Sequence, residues 1–447
     1  MVKLIGKEKD KYIFFDACNN MVFKTKIDKD SQKQMLNLEQ NHIPSGCNRD
    51  YDLFSLIRMQ DIFLVSVTIS VTSACNMSCK YCLVKNKPMT SFSPRNVSKL
   101  IEFLKINFSK NPHRKKHVHF YGGKPLLRFD LIKKIVSEIS NLNVVFSITT
   151  NGTLLNRKII DFLVKSGFFL TISMDGPSYI HDRWRPLKSF KPSHWIIEKN
   201  IKIIQSFYPD FMKRNVSIVA VLTPDYSLME RLEYFLTIGI RKVVLSKMDK
   251  ESICFTGMKQ KEYDEYFIKE YINLCEYIKK NLVTKNFEKI ILFPCGKYFD
   301  LFRYHQKVDV KSLCGAGIKK IYITSNGDIL PCVQFGNSTN LEQKYKIGNI
   351  TEGINYKKVT NLYKKFTENN KNCRNCWVFY LCPGNCPYFR LNDESPDKDS
   401  CKFFDSLFKL YIKTYADIKT KSPNVLEEFA EYSNRHLTAK NFSREEI

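Results

Sequence analysis

Cysteine is the residue whose spacing promises chemistry in this chain. Cys75, Cys79 and Cys82 stand as C-x3-C-x2-C. A second group follows far downstream: Cys314 and Cys332, then Cys373, Cys376, Cys382 and Cys386 as C-x2-C-x5-C-x3-C, and finally Cys401. Thiolates are soft ligands that select zinc, copper or iron–sulfur clusters. Structural zinc closes a shell of four ligands, whereas the triad offers three, with no histidine beside it. Three cysteines suit a four-iron cluster that keeps one iron open to a substrate or cofactor. Zinc ribbons would account for the downstream group but not for the triad.

Composition bounds the setting of this chemistry. At 447 residues the chain is long enough for two or three domains at about 150 residues each. Its 43% apolar and 13% aromatic content excludes a collagenous or largely disordered protein. The opening MVKLIGKEKDKY has no apolar signal-peptide core, and no apolar run reaches the ~18 residues of a membrane span. A cytoplasmic location is expected, with no membrane partner. In a reducing compartment fifteen cysteines are poor disulfide candidates, which makes metal ligation the expected use of those whose spacings agree, while Cys18, Cys47, Cys254 and Cys275 read as ordinary residues. The formal charge of +26 comes from lysines scattered over the whole chain. That distribution argues against a dedicated nucleic-acid surface.

The elements that must position the cysteines alternate between strand and helix. Val65, Val67, Ile69 and Val71 alternate with Ser and Thr, giving a period-two strand that ends just before the triad. A helix follows with Ser93 as N-cap and Pro94 at its first position. Strands His117 to Tyr121, Val144 to Thr149, Phe168 to Ser173, Val216 to Leu222 and Lys242 to Leu245 continue the series, each trailed by a helical pattern. The fold class is therefore α/β, a partial (β/α)6 TIM-type barrel, with chemistry at the carboxyl ends of the strands. The expected organisation is a small hairpin-and-helix unit over 1–62 and the barrel over 63–290. A cysteine-rich iron–sulfur domain over 291–404 and a carboxyl-terminal helix over 405–447 complete it. Within the third segment Ser325-Asn326-Gly327-Asp328 joins two short strands as a hairpin turn. Cys275 lies on an apolar helix face and reads as core.

A cysteine triad of this spacing after a first barrel strand resembles the signature of the radical S-adenosylmethionine (radical SAM) enzymes. The likeness continues strand by strand. Tyr121-Gly122-Gly123-Lys124-Pro125 resembles the family's Gly-Gly-Glu-Pro, whose backbone and Glu hold the amino group of SAM, although Lys124 replaces that Glu with a cation. Thr150-Asn151-Gly152 and Ser173-Met174-Asp175-Gly176-Pro177, followed by His181-Asp182 and Arg185, resemble the ribose and carboxylate contacts. The likeness implies Ser173 and Asp175 as hydroxyl and ribose ligands and Arg185 as the carboxylate clamp. The downstream cysteines are similar to the SPASM extension with its two auxiliary four-iron clusters. The resemblance assigns Cys314, Cys332 and Cys386 to the first of these, and Cys373, Cys376, Cys382 and Cys401 to the second.

The cofactors implied are SAM and three four-iron clusters. The family's chemistry passes an electron through the triad cluster into SAM, releasing methionine and a 5′-deoxyadenosyl radical that abstracts hydrogen from a substrate. An external donor such as flavodoxin or ferredoxin is expected. The leading expectation is a maturase that forms thioether or carbon–carbon crosslinks in a ribosomally made precursor peptide with a leader. Residues 1–62 either bind that leader as an added strand or only cover the barrel. A formylglycine-forming sulfatase maturase is the alternative, but that family carries Asp directly after the cysteine matching Cys332, and here the residue is Val333. An iron–sulfur electron carrier would not need the SAM contacts, and a tRNA-modifying enzyme would carry an RNA-binding domain that the sequence does not show.

Two auxiliary clusters with complete thiolate shells need eight ligands, and the extension supplies seven. Either Cys295 is the eighth or the first auxiliary cluster keeps an open iron. With an open iron, Cys295→Ala retains about twelve irons per chain and Cys314→Ala falls to about eight. Iron analysis with Mössbauer spectroscopy distinguishes the two, and loss of a cluster from the Cys295 variant identifies it as the ligand.

Overall fold

The computed structural model describes residues 2–8, 11–16, 21–25, 63–84, 87–248, 250–253, 256–290, 315–369, 376–377, 386–392 and 398–437. Two compact units interleave along the chain. One comprises Met1–Leu56, Gln260–Leu313 and Tyr363–Arg435, and the other Ile57–Lys259, Cys314–Leu362 and His436–Ile447.

In the first unit, strands β1 (Val2–Glu8), β2 (Lys11–Asp16) and β3 (Met21–Thr25) form an antiparallel sheet in that order. The hairpin expected from the sequence is β2–β3, with Asp16 opposite Met21. β1 adds a strand that the sequence pattern did not reveal. The helix expected after this hairpin lies outside the described residues.

The second unit is the barrel. Strands β4 (Ser66–Thr72), β5 (Lys116–Gly122), β6 (Val144–Thr150), β7 (Phe169–Ser173), β8 (Val216–Leu222) and β9 (Val243–Lys247) run parallel in sequence order. Helices α1 (Pro94–Ser109), α2 (Phe129–Ile139), α3 (Arg157–Lys165), α4 (Ser178–Trp184), α5 (His194–Phe207) and α6 (Leu228–Thr237) occupy the crossovers. Their starts are set by side-chain caps: Ser93 accepts from the amide of Asn96, Asn156 from that of Ile159, and Ser227 from that of Met229. α1 buries Val97, Leu100, Ile101 and Leu104, the stripe its periodicity predicts.

The period-two alternation of the strands sorts side chains by chemistry. Phe120, Phe146 and Phe168 stack at 5.5–6.4 Å between ring centroids and meet Phe162 of α3. The opposite face of the same strands is polar. There Ser66, His117, Ser147, His119 and Thr149 form a continuous hydrogen-bonded row with links of 3.2, 2.7, 2.6 and 3.2 Å. The register produces it, since Ser66 pairs with His117 and His119 with Ser147.

Strand β10 (Lys320–Ile323) pairs parallel with β4, Lys320 opposite Ser66, and so extends the barrel sheet at its first edge. It turns back into β11 (Asp328–Leu330) through Gly327, whose φ of +89° and close approach to Ile350 require glycine. Two short strands, β12 (Gly348–Asn349) and β13 (Gly353–Ile354), complete the sheet.

Back in the first unit, helix α7 (Gln260–Val283) packs on α8 (Lys398–Lys421). Phe267 meets Phe403 edge-on at 5.6 Å, and Phe408 and Tyr411 are buried. Cys275 is buried in α7, where burial pushes its thiol up to about 12. It is a core residue, as its apolar face suggested.

Burial pulls His117 down to about 4 and His119 to about 3, each helped by a neighbouring cation or imidazole. Both depressed values lie below the ordinary 6.5 of the unfolded chain, so the unfolded state binds more protons between those limits. Stability is therefore complete above pH 6.5 and is lost as pH falls through the window from 6.5 toward 3–4. Each histidine should cost about 2 kcal/mol between pH 7 and pH 5. Denaturant titrations at the two pH values should show a smaller loss for His119→Gln than for the parent chain, and an equal loss would place His119 elsewhere.

Candidate metal and cofactor site

The chain leaving β4 enters the loop that carries the cysteine triad, and short polar contacts fix that loop. The Thr72 hydroxyl donates to the carbonyl of Thr90 at 2.9 Å, and the Ser73 hydroxyl donates to that of Pro88 at 2.7 Å. Gly122 and Gly123 at the end of β5 lie directly against the same segment. A Cβ on Gly122 would meet the Thr72 carbonyl oxygen at 2.3 Å, and one on Gly123 would meet that of Ser73 at 2.2 Å. Gly122 also has φ of +120°. The two glycines therefore seat the triad loop against the sheet, besides leaving their backbone open toward the cavity.

A cavity of about 760 Å³ opens at the carboxyl ends of the barrel strands, within the range of small-molecule sites. Cys75, Cys79 and Cys82 line it, as do Gly122, Gly123, Ser173 and Arg185. The segment after the barrel supplies a second wall through Tyr322, Ser325 and Val333, the residue that follows Cys332. This wall is tied to the triad loop by Lys87, whose ammonium donates to the carbonyl of Gly336 at 2.8 Å and pairs with Glu342. Among the described residues no three His, Cys, Asp or Glu side chains converge to hold a single metal ion. A four-iron cluster asks for a wider arrangement, because each thiolate meets its own iron.

Burial pushes Cys79 up to about 11; Arg185 pulls it down, while Cys82, Asp175 and Cys75 add to the rise. The metal-free thiol thus keeps its proton until a metal displaces it. Between Cys79 and Cys82 stands Tyr81, which the sequence reading passed over. Its hydroxyl donates to Asp175 Oδ2 and accepts from Arg185 Nη1 at 2.7 Å. Burial raises Tyr81 well above the ordinary tyrosine range, so it remains a donor. Arg185 also lies 3.8 Å from Asp175 Oδ1, an oxygen that accepts the amide of Val221 at 3.0 Å. An aromatic residue inside a cysteine triad was the one signal of this anchor available beforehand.

The donor set fits the groups implied. Arg185 is buried, lines the cavity and has its Nε without a hydrogen-bond partner. A buried guanidinium donor left unmatched is costly, and a carboxylate would satisfy it. Asp175 is fully buried with both oxygens engaged within the protein, and it stands outside the cavity lining. Pro125 is buried at the start of a 3-10 turn and likewise does not line the cavity. His181 and Asp182 hold local structure: His181 bonds to Ser193, and Asp182 accepts the amides of Ser193 and His194. Arg231, also unforeseen, clamps the carbonyl of Asp175 at 2.7 Å and the hydroxyl of Thr223 at 2.6 Å.

Lys124 is fully buried and does not line the cavity. Its ammonium donates to the Thr153 hydroxyl at 2.6 Å. That hydroxyl also accepts from Asn76 Nδ2 and donates to Asn151 Oδ1, both at 2.9 Å. Asn151 in turn reaches Asn76 Oδ1 at 2.9 Å and Cys75 Sγ at 3.9 Å. Burial lowers Lys124 to about 7, while Cys75 acts to raise it. Of the auxiliary cysteines, Cys332, Cys376, Cys386 and Cys401 are among the described residues. Cys314, Cys373 and Cys382, with Cys295, lie outside the described residues.

Comparison with known proteins agrees with this architecture. The radical SAM superfamily model matches residues 69–238, and the iron–sulfur cluster-binding SPASM model matches residues 314–377. A cysteine-type anaerobic sulfatase-maturating enzyme of Clostridium novyi is 26% identical over 367 residues, 76% of this chain and 92% of its own. The solved structure of anSMEcpe with bound AdoMet superposes with a TM-score of 0.63 at 18% identity, over 83% of this chain and 99% of that one. Streptococcus suis SuiB bound to precursor peptide SuiA gives 0.56 at 19% identity, over 87% of this chain and 94% of that one. At these identities the structural likenesses show the fold. The triad at the end of the first barrel strand and the two family matches together make the chain a member of the radical SAM superfamily, with a SPASM domain following its barrel.

Proposed function

We propose that this radical SAM/SPASM enzyme modifies a ribosomally made precursor peptide, forming a thioether or carbon–carbon crosslink. In this reading the chain holds three four-iron clusters, and flavodoxin or ferredoxin supplies the electron. When bound, the triad cluster and SAM supply the radical that opens the substrate C–H bond. The protein's share is orientation and shielding. Arg185 offers its spare Nε to the SAM carboxylate, and Ser173 offers a hydroxyl at the end of β7. The backbone of Gly122 and Gly123 borders the position of the amino group.

One observation carries the choice of reaction: Val333 stands in the cavity wall where sulfatase-maturing enzymes carry Asp. Glu342, the carboxylate residue in that lining, is already paired with Lys87. Among the described residues the wall therefore presents no spare carboxylate to take a proton from a substrate undergoing oxidation to an aldehyde. A peptide-bound relative of the same fold, SuiB with SuiA, supports a peptide as substrate. Sulfatase maturation is the second reading, favoured by the Clostridium novyi relative.

Reconstituted protein given SAM and dithionite should release 5′-deoxyadenosine. With a Cys-containing precursor peptide it should yield a product lighter by two hydrogens, by mass spectrometry. An aldehyde captured by a hydrazide probe on a sulfatase-derived Cys peptide would select the second reading instead. Arg185→Lys keeps the buried charge but loses the planar donor fork, and should weaken SAM binding by about tenfold. Equilibrium dialysis at unchanged iron content measures this, and undiminished affinity would remove Arg185 from the SAM site.

A further inference from the structure

Lys124 occupies the place of an acidic residue in the resembled motif, yet its side chain is fully buried and outside the cavity lining. The hydrogen-bond count at Thr153 shows how a donor at this position completes its set. A hydroxyl has one proton and two lone pairs. The proton goes to Asn151 Oδ1, and the lone pairs receive Asn76 Nδ2 and Lys124 Nζ. A carboxylate at 124 would meet a hydroxyl whose proton is already committed.

The ammonium is also placed to act on the triad. From Lys124 the chain Thr153, Asn151, Cys75 runs through contacts of 2.6, 2.9 and 3.9 Å. Asn76, which closes the network, is the residue next to Cys75. Near neutral pH burial leaves this amine balanced between its two forms, and the Cys75 thiolate acts to keep it protonated. A charge buried in a network that ends on a ligand thiolate is little screened, and reduction potentials of iron–sulfur clusters respond to charge, hydrogen bonds to sulfur and exposure.

We propose that Lys124 is a positioning residue of the cluster site: a buried cation that anchors the Asn76–Asn151–Thr153 network behind Cys75 and raises the reduction potential of the cluster held by Cys75, Cys79 and Cys82. The amino end of SAM is then left to backbone groups, with no side-chain acceptor from position 124. The inference rests on the triad holding a four-iron cluster.

The test is an EPR-monitored potentiometric titration of the reconstituted full chain, with SAM affinity measured separately by equilibrium dialysis. The triple variant Cys75→Ala, Cys79→Ala, Cys82→Ala identifies the triad signal by its disappearance. Lys124→Met should make reduction of that cluster about tenfold less favourable, a shift of about 59 mV to more negative potential for one electron. SAM affinity should stay within about threefold, a small change on the tenfold-per-1.4 kcal/mol scale. Lys124→Arg should restore the midpoint. If Lys124→Met takes up no triad iron, Thr153→Val carries the test, because releasing the ammonium from its anchor must move the midpoint in the same direction. An unmoved midpoint overturns the proposal, and one accompanied by lost SAM affinity makes Lys124 a SAM contact. A triple variant that loses no iron and no signal overturns the cluster reading itself.

Discussion

The close approach of Gly122 and Gly123 to the chain leaving β4 is the constraint on which the site depends. Two parallel strands diverge at their ends unless something holds the outgoing segments together, and here backbone lies on backbone with no room for a Cβ. The amide of Gly123 donates to the carbonyl of Thr72 at 2.9 Å, so the ladder between β4 and β5 continues one step past the register shift at Thr72. The triad begins three residues later, at Cys75. A side chain at either glycine would lift the whole loop and with it Tyr81, whose hydroxyl must reach Asp175 and Arg185 on the far side of the barrel mouth.

Around that seat the protein gathers its buried ionisable groups in hydrogen-bonded sets. Arg185, Asp175 and Tyr81 form one, in which the phenol donates to the acid and accepts from the base. Lys124 with Thr153, Asn151 and Asn76 forms another. Charges removed from water are tolerated when partnered and hydrogen-bonded, and each set uses residues from different strand ends. The matching is therefore available only once the strands are in register. The sets hold the loop as tertiary anchors do, through specific geometry.

Much of this was legible in the sequence, because the relevant signals are local. Alternation over Val65–Val71 located β4, Ser93 and Pro94 located the start of α1, and the order of the Gly-Gly motif, Asn151 and Ser173 placed cavity-lining residues at strand ends. What escaped depends on partners distant in the chain. The parallel pairing of β10 with β4 joins segments about 250 residues apart, and no periodicity announces a neighbour. The inward role of Tyr81 depends on Asp175 and Arg185, and the direction of Lys124 depends on Thr153. Substitution of a cation for an acid could be seen in the sequence. That its ammonium turns behind Cys75 could not, because side-chain direction is decided by which hydrogen bonds the folded site has left to offer.

The sidedness of the barrel joins these points. Its outer strand face is a phenylalanine cluster under helices, and its inner face is a row of Ser, Thr and neutral His leading up to Thr149 in the cavity lining. The row is internally satisfied, so it brings polarity to the base of the site without net charge. The buried charged groups of the site stand at the rim, in the hydrogen-bonded sets behind the cysteines. A site that must hold anionic thiolates and a cationic sulfonium ligand close together is thereby built on a neutral base, with its cations fixed by hydrogen bonds to particular sides of the cluster loop.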